Sequence, residues 1–282
     1  MNLGFLFWFF LAGIIIASLQ DLKRREVDNW LNLFLGIGGA VFILYKAFFE
    51  KDLSLVLSLA VGFGIMFLIM NAFYYGRVFA GGDAKLLFAM SPIFVTSGII
   101  LMLKDIGIFL GLLMLSGSVY GIFYSLVLYF KDRKKVNLEM KKVGSKKFLK
   151  FIFVIGILFS LFGVLLRSLG CEFWFLIFLF GIIILLFPLL YIFSKALEKV
   201  SMIREVSGKD LREGDWLVDD VKVKGKLIKS NWEGLNKEDL KLLKGKKKVK
   251  IKDGLPFVPA FLIAFILYFI FREFIVNFLS FF

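Results

Sequence analysis

Residues 53–85, LSLVLSLAVGFGIMFLIMNAFYYGRVFAGGDAK, decide the fold. Their first part, Leu53 to Tyr75, carries no charge and as a helix is long enough to cross the roughly 30 Å hydrocarbon core of a bilayer. A glycine pair and Asp83 follow, and then an apolar run resumes. Outward from this stretch, comparable runs lie at about 3–20, 30–49, 86–103, 106–130, 149–169, 172–194 and 256–280. The pattern predicts an all-α polytopic membrane protein of about eight transmembrane helices. The fourth, 86–103, is expected to be short, because Pro92 interrupts it and Thr96-Ser97-Gly98 follows. Composition agrees: 60% of the 282 residues are apolar, 37 of them Phe, and mean hydropathy is +0.85, whereas a soluble domain sits near about 45–50% apolar.

The flanking charges orient the spans. The first run has no basic segment before it and no small-residue cleavage site after it, so it reads as a retained helix. With the N-terminus outside, the inside segments are 20–29, 76–85, 131–148 and 195–255, and with Lys150 they hold 31 of the 36 Lys and Arg residues. Lys46, Lys51, Lys104, Arg167 and Arg272 remain at or near the other face. This asymmetry is what the positive-inside rule requires of a multi-pass cell-membrane protein. It also accounts for the net charge of +14: basic loops attract anionic membrane lipids, and no nucleic-acid partner is implied.

Along the chain the reading is a transmembrane domain carrying the chemistry over 1–130, a basic cytoplasmic loop over 131–150, a transmembrane helical pair over 151–194, a cytoplasmic module over 195–255 and a C-terminal transmembrane helix over 256–282. In the module, GDWLVDDVKVKGKLIKS alternates as a strand pair turning at Gly225, and LNKEDLKLLKG reads as a helix. Asn236 is its expected N-cap, Asp239 closes a weak capping box, and Gly245 is the stop. A small cytoplasmic α+β insertion thus precedes the last helix.

The chain has no His, which excludes Ser-His hydrolases, HExxH metalloproteases and histidine kinases. Cys171 stands alone, so no intrachain disulfide forms. Chemistry must rest on carboxylates, Lys, Arg and hydroxyls. Two carboxylates stand out at the ends of apolar runs, Asp21 in Ala17-Ser18-Leu19-Gln20-Asp21 and Asp83 in Phe79-Ala80-Gly81-Gly82-Asp83-Ala84-Lys85. Two crossings separate them, which returns both to the same cytoplasmic boundary. Two carboxylates brought close cannot both ionise cheaply, so one is held protonated while the other is charged. That is an acid/base pair for water-mediated peptide hydrolysis: the charged member activates water, and the protonated one hydrogen-bonds the scissile carbonyl. Gly81 and Gly82 let a neighbour approach closely. Either aspartate alone fits an interfacial or capping role, and it is the pair that points to catalysis. No metal or other cofactor is expected, because two aspartates without His or Cys make a poor transition-metal site.

At these residues the chain resembles the type IV prepilin peptidases and archaeal preflagellin peptidases, which are GxGD intramembrane aspartyl proteases. In that family an aspartate after a transmembrane helix is followed, beyond a basic stretch, by an Ile-Pro-Asn-like triplet, here Asp21 and Val27-Asp28-Asn29. The second aspartate sits in GxGDxK, here Ala80-Gly81-Gly82-Asp83-Ala84-Lys85. Ala80 replaces the first Gly and Asp28 replaces Pro; an Ala is compatible with the motif if that position has negative φ. The resemblance covers mainly 1–130, although Asp253-Gly254-Leu255-Pro256-Phe257-Val258-Pro259 also looks like archaeal members. The cysteine-bearing N-terminal domain of many bacterial members is not found in this sequence, so their methyltransferase activity is not expected.

The resemblance implies catalytic roles for Asp21 and Asp83, with Gly81, Gly82 and Lys85 supporting the motif. The activity implied is an aspartic endopeptidase that removes the leader of prepilin-like or preflagellin-like precursors at the cytoplasmic face. Such precursors carry a basic leader followed by an apolar helix. Glu26 and Asp28 are candidate weak contacts for the leader, against local pairing with Lys23 or Arg24. The alternative is a proton- or cation-coupled membrane transporter in which Asp21 and Asp83 carry the ion. Against it stand the position of both aspartates at one face and the lack of matching broken helices.

Overall fold

The structure, a computed structural model, describes residues 4–279 except 97, 145, 146, 224 and 232. Residues 3 and 280, at the ends of the first and last expected spans, and Ser97 in the break after the fourth, lie outside the described residues. In chain order the helices are α1 (Gly4–Arg24), α2 (Asn29–Glu50), α3 (Leu53–Tyr75), α4 (Gly81–Ala89), α5 (Ile99–Lys131), α6 (Arg133–Gly144), α7 (Lys147–Ser168), α8 (Trp174–Leu197), α9 (Lys237–Leu243) and α10 (Val258–Leu279). The strands are β1 (Ile203–Val206), β2 (Trp216–Leu217), β3 (Val221–Val223), β4 (Lys226–Ile228) and β5 (Val249–Lys252). The chain forms two units, Met1–Phe123 with Leu255–Phe282, and Tyr124–Gly254.

Among the described residues, α1, α2, α3, α5, α7, α8 and α10 are long and apolar enough to cross a membrane. Their outward faces stay apolar, with Trp8, Phe48 and Leu53 all more than 60% exposed, which suits lipid and not water. The first unit is built around Phe10, Ile14, Leu35, Met66, Phe109 and Phe265, all fully buried.

The fourth segment is short, as the sequence leads one to expect, so that among the described residues seven helices are long and apolar enough to cross. α4 ends at Ala89, a 3-10 turn covers Ser91–Phe94, and α5 already begins at Ile99. The cause is Pro92, which has no N–H for a helical ladder. The broken segment follows α2 from its start to about its middle. Its start lies against Val27, just before α2, while Pro92 packs on Gly39, about three turns into α2. A Cβ on Gly39 would come within 2.8 Å of the Pro92 ring, so no larger residue fits there. Beyond it, Phe94 meets Phe109 of α5 and Tyr268 of α10, with ring centroids 5.2 and 5.8 Å apart. Irregular backbone at membrane depth is tolerated where protein covers it, and Ser91–Phe94 are all buried.

At the far end of this unit, Arg272 Nε and Nη2 donate to Asp105 Oδ1 and Oδ2 at 2.8 and 2.6 Å. The pair joins α10 to the first turns of α5.

In the second unit the basic stretch after α5 is largely helical, and α6 buries Val136 with Ala196 and Leu197. β1, β5 and β2 form an antiparallel sheet in that order, and β3–β4 is a hairpin. Gly225 lies in the hairpin turn with φ 80°, as the alternation predicts. β2 leaves that hairpin to pair Leu217 with Ile251. α9 carries the predicted capping box, with Asn236 Oδ1 accepting from Glu238 and Asp239 N–H and Asp239 accepting from Asn236 N–H. A small core of Leu211, Leu217, Leu243, Val249 and Ile251 holds this α+β insertion together.

Candidate active site

Asp21 is buried because of its place on α1. Phe10, Ile14, Ala17 and Ser18 form the inward face of that helix, and Asp21 is the next position on it. The residue is 4% exposed. α1 ends one turn later, where Arg25 takes a left-handed conformation at φ 59° and its N–H donates to the Asp21 carbonyl at 2.8 Å. The Asp21 carboxylate accepts the Val258 N–H at 2.9 Å and also the Phe257 N–H. Val258 opens α10, whose first N–H groups have no intrahelical partner. Asp21 therefore caps a helix that begins 237 residues later in the chain, and the positive end of that helix stabilises its negative charge.

Asp83 occupies the third position of α4, on a segment outside the seven membrane-crossing helices. Its carboxyl accepts the Ala80 N–H, the half of a capping box that Ala80, lacking a side-chain acceptor, does not return. Burial, and next the negative charge of Asp21, push Asp83 up to about 7. The two carboxyls thus lie within electrostatic reach of one another, although they come from different helices. Ala80 has φ −67°, so an Ala meets the condition on the first motif position.

The two motifs are also joined by direct bonds. Lys85 Nζ donates to Asn29 Oδ1 at 2.8 Å, and Asn32 Nδ2 donates to the Gly82 carbonyl at 3.4 Å. Phe79 is buried against Phe257 and Phe261, with ring centroids 5.3 and 5.7 Å away. Gly81 and Gly82 are not forced by their neighbours. An added Cβ would make ordinary contacts, 3.6 Å to the Tyr74 ring and 3.5 Å to Val27 N. Asp28 is engaged locally: it accepts from Arg24 at 2.6 Å and from Trp30 at 3.2 Å, and the Arg24 guanidinium holds it below the usual carboxylate range. Glu26 lies exposed on the same loop.

Two contributors escaped the sequence reading. The N–H groups of Phe257 and Val258 are backbone donors and leave no side-chain signature. Asn32 did leave one, as a lone amide one turn beyond Asn29 in an apolar run. Among the described residues, no three His, Cys, Asp or Glu side chains come together as a metal site. What the arrangement offers is two close carboxyls, one supported by N–H donors and one inclined to keep its proton, and this suits general acid/base work on water.

Residues 8–130 match the model of the type IV leader peptidase family. A preflagellin peptidase of Methanococcus maripaludis is 28% identical over 147 residues, which cover 49% of this chain and 63% of that protein. A preflagellin peptidase of Methanocaldococcus jannaschii is 31% identical over 81 residues, 29% of this chain and 34% of that one. A prepilin peptidase of Methanococcus maripaludis is 28% identical over 123 residues, 42% of this chain and 32% of that one. The chain thus spans less than two thirds of the length of these curated relatives. No solved structure matches it. The relatives are named as peptidases, and the ion-coupled transporter reading finds no support in them. Both aspartates and both motifs fall inside residues 8–130, the stretch that is similar to the type IV leader peptidase family.

Proposed function

We propose that the chain is a membrane aspartic endopeptidase that removes the leader from prepilin-like or preflagellin-like precursors at the cytoplasmic face of the cell membrane. The observation that carries this reading is the pairing of Asp83, raised to about 7, with the N–H-supported Asp21. Asp21 acts as general base and takes a proton from a water whose oxygen attacks the scissile carbonyl carbon. Asp83, protonated, donates a hydrogen bond to the carbonyl oxygen as negative charge develops there. When the C–N bond breaks, the proton held by Asp21 passes to the leaving amine. Lys85 supports the site by holding Asn29, and Gly81 and Gly82 keep the approach to Asp83 low.

The substrate is a precursor with a basic leader and an apolar helix that stays in lipid. Its leader meets Glu26 and, more weakly, Asp28, which Arg24 already neutralises. The N-terminus lies outside and the aspartates inside. Supporting this is the basic excess of the inside segments, with 31 of 36 Lys and Arg. Those basic segments rest on anionic lipid. The test is the purified chain in vesicles with a tagged preflagellin-type precursor. Release of the leader, read as a mass shift, is the expected result, and an uncleaved precursor with a folded chain would overturn the reading.

A further inference from the structure

A groove of about 380 Å³ lies between α2, α3 and α4 in the first unit. Asn32, Gly36 and Ala40 on one face of α2, Phe63 of α3, and Phe88 and Ala89 of α4 line it. It follows α2 from Asn29 to Ala40, about 16 Å or three helical turns. Leu33 and Ile37 on its wall are 64% and 54% exposed, so it opens sideways into the space that lipid would fill. One end reaches the Lys85–Asn29 bond and the Gly82 carbonyl, next to Asp83.

Asn32 does not fit an apolar filling of this groove. It is 5% exposed, its Nδ2 is committed to Gly82, and its Oδ1 has no partner among the described residues. A buried acceptor without a donor is costly, and a lipid chain has no donor to offer. A peptide does. The first N–H groups of any helix lack intrahelical partners, and in a leader-bearing precursor the apolar helix begins close after the scissile bond.

Resting on the peptidase reading, we propose that this groove receives the apolar helix of the precursor, and that Asn32 is a positioning residue that accepts a backbone N–H from its first turn. Gly36 and Ala40 let that helix approach closely. The Asn32 bond then sets the scissile carbonyl between Asp21 and Asp83, while the Nδ2 bond to Gly82 ties substrate and Asp83 to one amide.

The test uses the full chain in vesicles and a synthetic precursor with a Lys/Arg leader and a preflagellin-type apolar helix. In an Asp83→Asn background, Ile37→p-benzoylphenylalanine should capture the precursor on irradiation. The same photoprobe at Leu115, 66% exposed on α5, should not. In the unsubstituted chain, replacing one of the first few amides after the scissile bond by an ester should lower kcat/KM about tenfold, and the same ester should have no such effect in Asn32→Leu. A purely structural Asn32 would not show that selectivity. Capture from both positions, capture from neither while cleavage proceeds (a lipid-filled groove), or equal ester effects in the two chains would overturn the proposal. If Asn32→Leu fails to fold, the capture arm decides. Absence of cleavage by the unsubstituted chain together with capture from residue 37 would remove the peptidase reading and leave the groove standing.

Discussion

Asp105 and Asp21 are equally buried, at 3% and 4% exposure, yet they meet different chemistry. Asp105 faces a guanidinium that binds both its oxygens, and Arg does not give up its proton at any physiological pH. Its charge is matched and has nothing to exchange. Asp21 instead meets two backbone N–H donors and, within electrostatic reach, a second carboxyl. The donors support its charge without cancelling it, and the second acid holds a proton that can be lent. Burial alone therefore does not fix what an acid can do; the partner decides whether its charge is locked in a clasp or left beside a second acid.

Substitution at each end tests that contrast. Asp21→Asn and Asp83→Asn should each lower kcat for precursor cleavage by about three orders of magnitude or more, since a dyad works as a unit. Both should leave the chain inserted, because an amide oxygen at position 21 still accepts from Val258. Substantial turnover by either variant would dissolve the distinction between the two ends. Asp105→Asn should do the reverse. Removing one partner of a buried pair costs about 3–5 kcal/mol, so denaturation in detergent should come much earlier while kcat of the folded fraction stays within a few fold. Equal loss of activity and stability would make the far end part of the catalytic machinery.

Acidity sharpens the same comparison. The mechanism needs Asp83 protonated, and its value of about 7 lies above the usual carboxylate range. Activity should therefore fall as pH rises through about 7, approaching about tenfold per further unit, and fall again in acid as Asp21 gains a proton. The Asp105→Asn chain should keep that profile, which a rate measurement from pH 4 to 9 would check. The smallest effect belongs to Ala80→Gly. With φ at −67° an Ala carries no strain, so restoring the motif glycine should change kcat by less than about threefold and slightly reduce stability. A large gain would mean that Ala80 holds the site back.

The spans, the two aspartates and their common end were legible because lipid demands long apolar runs and leaves a charge conspicuous at their ends. The break at Pro92 was legible too, but its consequence was not. With the fourth run ending at 103 and the fifth beginning at 106, the sequence puts Asp105 in a short loop and Arg272 near the opposite face. Their pairing spans 167 positions and shows only when α5 is allowed to start at Ile99. The support for Asp21 was hidden more deeply, since backbone donors look alike in every sequence. Asp28 illustrates the opposite case: the sequence leaves its charge open to a leader or to a neighbour, and Arg24 one turn away takes it.

The cap that Asp21 places on α10 also orders events during synthesis. Asp21 and Asp83 leave the ribosome early, but the N–H groups that settle Asp21 arrive only with the last membrane helix, 237 residues after it. Until then the acid pair lacks its clamp. A nascent chain of this kind carries both acids before their clamp, and the site is complete only when the final helix is threaded beside the first.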